Sequence, residues 1–218
     1  MVAAAAGFDA VYVDMEHSPV SYETTSVLCI GARAAGISAL VRPPGHDPIA
    51  ASRVLDGGAA GVIFPGIDTP EQARDAAVAC RFAPAGKRGV SGSGPSLGYR
   101  ALPLAEVNAQ GDAETLVVVM IETPLGVENA AAIAAVAGVD VLLIGSNDLC
   151  TELGIPGQLR HPALRDAYAR VAAACAAHGK TLGIGGIRGD AELQQDLVTL
   201  GGRFVIAGND VGYLGAAA

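Results

Sequence analysis

Apolar and polar positions along the chain follow two rhythms. Short, nearly unbroken apolar runs ("AVYVD", "SALVRP", "AGVIFP", "TLVVVMIE", "DVLLIG", "KTLGIG" and "RFVIAG") are separated by longer, mostly alanine-rich stretches of helical period. The helical stretches fall at 20–35, 48–56, 69–81, 125–137, 162–178 and 190–200. A strand that is apolar at consecutive positions is buried on both faces, as in a parallel sheet covered by helices. Seven such runs without a glycine-rich dinucleotide turn predict an α/β fold of the (β/α)8 TIM-barrel kind rather than a doubly wound sheet.

Two features qualify that expectation. An eight-stranded barrel needs a strand before residue 10, where only "MVAAAAG", reading as the tail of a helix, is found. At the other end "RFVIAG" is followed by "NDVGYLGAAA", too short for a full final helix. The chain therefore reads as one domain over 1–218, a barrel lacking its first strand and most of its last helix. Segment 83–112, which includes "APAGKRGVSGSGPSLGYR", reads as one long irregular stretch, and such a loop in a compact domain serves as a lid or a subunit contact.

Composition changes this picture only by exclusion. Hydrophobic residues reach 51% and mean hydropathy is +0.40, but glycine, proline and charge break the apolar runs. None is long enough to span a bilayer. The start "MVAAAAGFDAVYVD" is apolar but has no basic n-region, which argues against a signal peptide and for a cytoplasmic location. A net charge of −8 without a Lys/Arg cluster argues against nucleic acid as a partner. Cys29, Cys80, Cys150 and Cys175 show no CxxC or ligand spacing and read as reduced core thiols.

In a parallel barrel the chemistry collects at the carboxyl ends of the strands. The first strand ends in "VDMEH", with Asp14, Glu16 and His17; the second ends at Arg42; "VVVMIETP" ends on Glu122; "LLIGSNDL" runs into Asp148. Glu122 and Asp148 come from consecutive strands, so their carboxylates can converge. Two carboxylates that close repel unless a cation lies between them, and oxygen-only ligation suits Mg²⁺ or Mn²⁺. The structural alternatives are Glu122 at a helix N-terminus before Pro124 and Asp148 as a cap of the following turn. Arg42 is placed to hold a carboxylate or carbonyl oxygen and to stabilise an oxyanion; its structural alternative is an ion pair with Asp14 or Glu16, and the two roles are compatible. His17 is the histidine at a strand end, the residue type that most often serves as a general base. Asp56, in "RVLDGGAAG", reads locally as a helix end.

The blocks "GFDAVYVDMEHSPV", "ALVRPPGHDP", "VLDGGAAGVIFPGIDTPEQA", "FAPAGKRGVSG", "VMIETPLGVEN", "GVDVLLIGSNDL" and "FVIAGND" resemble, in order and through nearly the whole chain, the class II, metal-dependent pyruvate aldolases of the HpcH/HpaI family. The resemblance implies a barrel of the phosphoenolpyruvate/pyruvate type in which Mg²⁺, Mn²⁺ or Co²⁺ is chelated by a 2-oxoacid. It places Glu122 and Asp148 on the metal ligands, Arg42 on the arginine that binds the keto oxygen, and His17 on the base. It places Asp56 on a carboxylate that reaches this base from a neighbouring subunit, and the backbone amides at Ser146 and Asn147 on the turn that holds the pyruvate carboxylate. Asp14 and Glu16 support Arg42. Met120 stands where the family often has glutamine, and "GSND" replaces the commoner Gly-Pro-Ala-Asp.

The implied activity is reversible cleavage of a 4-hydroxy-2-oxoacid to an aldehyde and pyruvate, or a close analogue such as hydroxypyruvate. A homo-oligomer, trimer or hexamer, is implied with it. The alternatives are a citrate lyase β-like or macrophomate synthase-like carbon–carbon lyase, or a non-catalytic barrel that binds a small ligand.

Overall fold

The computed structural model describes residues 1–217. Its strands are β1 (Ala10–Asp14), β2 (Ser38–Arg42), β3 (Gly61–Phe64), β4 (Leu116–Ile121), β5 (Val141–Gly145), β6 (Thr181–Gly185) and β7 (Gly202–Val205). They form one seven-stranded sheet in sequence order, and each described pairing, β1–β2, β2–β3, β3–β4, β5–β6 and β6–β7, is parallel. All seven predicted strands are present within three residues of their expected limits. The chain divides into two compact units: residues 1–65, 71–119 and 137–139, and residues 66–70, 120–136 and 140 onward.

In the first unit α1 (Val2–Ala5) precedes β1, α2 (Tyr22–Ala34) follows it, and α3 (Pro48–Asp56) follows β2. The boundaries have local causes. Ser21 accepts from the Thr24 N–H at the start of α2, and Asp47 accepts from the Ile49 N–H with Pro48 in the first turn of α3, both favourable N-terminal chemistries. The β1–β2 register sets Asp14 directly opposite Arg42. Helix α4 (Pro70–Cys80) follows β3.

Segment 83–112 departs from expectation. It contains a single 3₁₀ turn at Pro95–Leu97 and then α5 (Leu104–Glu114). Gly111 lies inside α5, where it reads as a helix breaker, but a β-carbon there would come within 2.8 Å of Phe82 Cε2. The glycine is a packing requirement. Asp112 reinforces the contact by accepting from the Phe82 N–H at 2.8 Å.

In the second unit the stretch expected as one helix over 125–137 is two, α6 (Pro124–Glu128) and α7 (Ala130–Ala134), parted at Asn129. The Asn129 side chain donates to the Asp68 carbonyl at 2.7 Å, so its amide is committed to tertiary structure. Helix α8 (Ser146–Glu152) starts directly from the end of β5. It was not anticipated because its N-cap is Gly145, with no side-chain cap. Helices α9 (Pro162–His178), α10 (Ala191–Thr199) and the short α11 (Asp210–Ala216) complete the unit. Its core is the continuous apolar run of β5, with Leu142, Leu143 and Ile144 fully buried, as strands covered on both faces require.

All four cysteines are free and buried, and burial pushes the Cys29 and Cys175 thiols up to about 11, which keeps them protonated and unreactive near neutral pH. Among the described residues no helix is long and apolar enough to cross a membrane.

Candidate active site

The first unit assembles an acid–arginine cluster at the ends of β1 and β2. Because Asp14 and Arg42 face each other across the strand pair, their side chains meet head-on: Nε donates to Asp14 Oδ1 at 2.9 Å and Nη2 to Oδ2 at 2.7 Å. Nη1 reaches Glu16 Oε2 at 2.8 Å, and the guanidinium lies over the Tyr12 ring at 5.6 Å. Arg42 is buried. The two-pronged geometry is one that arginine alone among the cations can make. Burial works to raise the Asp14 carboxyl, but the hydrogen bond and charge of Arg42 and the N–H groups of Glu16 and His17 outweigh it and hold the carboxyl below its ordinary range. The Arg42 ion pairs expected with Asp14 or Glu16 are therefore both made.

His17 joins this cluster through its backbone, whose N–H donates to Asp14 Oδ1 at 3.3 Å. Its imidazole is exposed, with Nε2 at 3.6 Å from Glu16 Oε2. Asp56 closes α3, as its local pattern predicts, and lies elsewhere in the unit. Its Oδ1 accepts from Arg88 Nη2 at 2.9 Å. Within the chain Asp56 thus pairs with Arg88 and not with His17. Arg88 is 8% exposed against 41% for Asp56, stacks on Phe82 at 4.7 Å, and lines with Asp56 a cavity of about 70 Å³.

The second unit holds the carboxylates of the expected metal site. Glu122, immediately after β4, is buried, and its Oε2 accepts from the Gly66 N–H at 2.7 Å. The other oxygen lies against the end of β5: a β-carbon on Gly145 would stand 2.5 Å from Glu122 Oε1. Helix α8 begins at the next residue and carries Asp148, itself exposed, in its first turn. Glu122 directly precedes Thr123, the N-cap of α6, so it also stands at the helix N-terminus expected as its structural alternative. Asp148 does not cap a turn, being inside α8.

The Ser146 hydroxyl is fully buried and shares a hydrogen bond of 2.9 Å with Tyr168, so its side chain serves packing. The backbone of Gly186, after β6, packs on the α8 start, because a β-carbon there would meet Asn147 N at 3.2 Å and Ser146 N at 3.3 Å.

These donors fit a hard divalent ion. They are oxygens only, and among the described residues no group of three or more His, Cys, Asp or Glu side chains is arranged to hold a metal ion. A pair of carboxylates is the usual protein share for Mg²⁺, which takes the rest of its shell from water and substrate. Residue types and strand ends single out Arg42, Glu122 and Asp148 in the sequence as candidates. They could not expose Gly66, whose contribution is a main-chain N–H, nor Arg88, whose partner is 32 residues away. The signal for Gly66 was its place directly after the apolar run "VIFP".

The HpcH/HpaI aldolase/citrate lyase family model matches residues 1–216. The chain is 41% identical over 220 residues to 4-hydroxy-4-methyl-2-oxoglutarate aldolase cghB of Chaetomium globosum, covering 100% of this chain and 82% of that one. It is 34% identical over 208 residues to 5-keto-4-deoxy-D-glucarate aldolase of Salmonella paratyphi C, covering 95% and 79%. The structure is similar, with a TM-score of 0.93 and 32% identity, to the crystal structure of HpcH/HpaI aldolase from Desulfitobacterium hafniense, covering 99% of this chain and 83% of that one.

Proposed function

The chain belongs to the HpcH/HpaI aldolase/citrate lyase family and is an aldolase; from that premise we propose that it cleaves 4-hydroxy-2-oxoacids to pyruvate, or a close analogue, and a carbonyl partner at a divalent-metal centre. The observation that carries the reading is the setting of Glu122. A buried carboxylate whose Oε2 is committed to the Gly66 N–H and whose Oε1 lies against Gly145 is oriented, rather than merely tolerated, at the start of the helix that bears Asp148.

In this reading Glu122 and Asp148 would hold Mg²⁺, Mn²⁺ or Co²⁺, and the ion supplies Lewis acidity toward the 2-oxo oxygen of bound substrate. The main-chain N–H groups at Ser146 and Asn147 receive the 1-carboxylate, as helix starts commonly do for anions. His17 takes the proton of the 4-hydroxyl, directly or through water. The C3–C4 bond then breaks, its electron pair passing to the pyruvate enolate as the carbonyl partner forms. Arg42, held rigid by Asp14 and Glu16, offers its guanidinium to the developing oxyanion. Asp56 of a neighbouring copy in a trimer or hexamer supports His17, and the 41% exposure of its side chain is compatible with such a contact. The likeness to the Desulfitobacterium aldolase supports placing the sheet in a barrel of the phosphoenolpyruvate/pyruvate type.

The test is cleavage of a 4-hydroxy-2-oxoacid by the full chain with EDTA, and again after adding Mn²⁺. Loss and recovery of turnover are expected. Turnover unaffected by chelation would overturn the metal-dependent reading. Both related aldolases are named for substrates with carboxylates at each end of the chain, which supports a dicarboxylic 2-oxoacid as the class cleaved here.

A further inference from the structure

The connections that leave the carboxyl ends of β4, β5, β6 and β7 carry Glu122, the α8 start with Asp148, the segment 186–190, and residues 206–209. A dicarboxylic substrate brings a second negative charge to this acidic ground. Between the end of β5 and the start of α9, and on the other connections, the arginines are Arg160 and Arg188. Arg160 is paired within the chain: it makes a two-pronged pair with Asp190 at 2.9 and 2.7 Å and reaches Glu192 at 2.8 Å. Arg188 is exposed, and its side chain makes no hydrogen bond, ion pair or ring contact among the described residues.

The backbone under Arg188 is fixed on both sides. Ile187 before it is fully buried, and its carbonyl accepts from Gln194 Nε2 at 2.6 Å. Asp190 after it caps α10 by accepting from the Leu193 N–H at 3.0 Å while gripping Arg160. Gly189 turns the chain between them with φ of 69°, a conformation glycine adopts at no steric cost. Arg188 thus stands on a short tip held at both feet. Two residues earlier, a β-carbon on Gly186 would come 3.3 Å from the Ser146 N and 3.2 Å from the Asn147 N. Two residues of chain span at most about 7 Å, so the guanidinium works within a side chain's reach of the place proposed for the 1-carboxylate.

We infer that Arg188 is the specificity-determining residue that binds the distal carboxylate of the substrate, and so selects 2-oxo dicarboxylates over neutral 4-hydroxy-2-oxoacids. The inference rests on the aldolase site placed above, and it names the class of substrate that site takes. A guanidinium suits the task because it stays charged and offers a fork of donors to a carboxylate. The fixed backbone means that little ordering accompanies the contact.

The experiment compares 2-oxoglutarate with 2-oxopentanoate, which differ only in the distal carboxylate, by calorimetric titration of the Mn²⁺-loaded full chain. The native protein is expected to bind 2-oxoglutarate more tightly by about tenfold to a hundredfold, the usual span for a hydrogen bond to a charged group. Arg188→Ala is expected to collapse that ratio and Arg188→Lys to restore part of it. Equal affinities in the native protein, or a ratio that survives Arg188→Ala, would overturn the inference. Repeating the titration in EDTA separates the two readings, since the ratio reports on Arg188 and the dependence of both affinities on the ion reports on Glu122 and Asp148.

Discussion

At Glu122 both carboxylate oxygens are constrained from the backbone, one by the Gly66 N–H and one by the absence of a side chain at Gly145. An alanine at 145 would bring a β-carbon to 2.5 Å from Oε1, well inside contact distance, and the carboxylate must turn away. Gly145→Ala is therefore expected to weaken Mn²⁺ binding by about tenfold to a hundredfold, as displaced supports of metal ligands do; calorimetry giving an unchanged affinity would mean that Glu122 is not a ligand. Arg42 offers a second residue-scale prediction. Arg42→Ala should lower kcat by about a hundredfold or more, the usual loss for a missing oxyanion partner, with a much smaller change in KM in steady-state assays. Its partner Asp14 adds a pH signature. A carboxyl held below its ordinary range in the folded protein contributes stability that is fully present above the unfolded value of about 3.9 and lost as pH falls through the folded one. Acid unfolding followed by circular dichroism should accordingly lose part of its pH dependence below about pH 4 in Asp14→Asn.

Between β4 and α6 the same neighbourhood is stapled by side chains. Thr123 caps α6 by accepting from the Gly126 N–H at 3.0 Å, and its hydroxyl donates to Asp68. Thr123→Val keeps the shape but removes both bonds, so urea denaturation should show a loss of about 1 to 2 kcal/mol, with Thr123→Ser restoring most of it. Such caps also explain which elements the sequence revealed. Helix α3 was legible at both ends because Asp47 and Pro48 open it and Gly57 follows it. Helix α9 was legible because His161 and Pro162 open it and Gly179, in a left-handed conformation, ends it. The elements that were missed lack a local reason. Helix α8 has no side-chain cap, the break at Asn129 serves Asp68, and α5 hides behind a glycine chosen for Phe82. In the last two cases a distant partner overrode the local pattern.

For the whole molecule, the parallel strands were readable because burial on both faces writes an unbroken apolar run, and the strand ends were readable because such runs stop at glycine, proline or charge. The pairing of Asp14 with Arg42 needed only the strand register, whereas the hold of Gly66 on Glu122 spans 56 residues of sequence and leaves no mark in it. The two compact units differ in one respect that can be tested: both proposed metal ligands belong to the second. An ion bound there stabilises the folded state in proportion to the logarithm of its concentration, by about 2.7 kcal/mol at a hundred times Kd. Adding Mn²⁺ to the chelator-treated protein should raise the midpoint of thermal unfolding in a calorimeter by a few degrees, and the rise should continue as the concentration increases. Glu122→Gln should abolish the rise while leaving the fold intact, because the amide keeps the hydrogen bond from Gly66 but loses the charge that holds the ion. Arg188→Ala, which removes neither proposed ligand, should leave the rise in place. A native protein that melts at the same temperature with and without Mn²⁺ would remove the metal centre from the proposed mechanism.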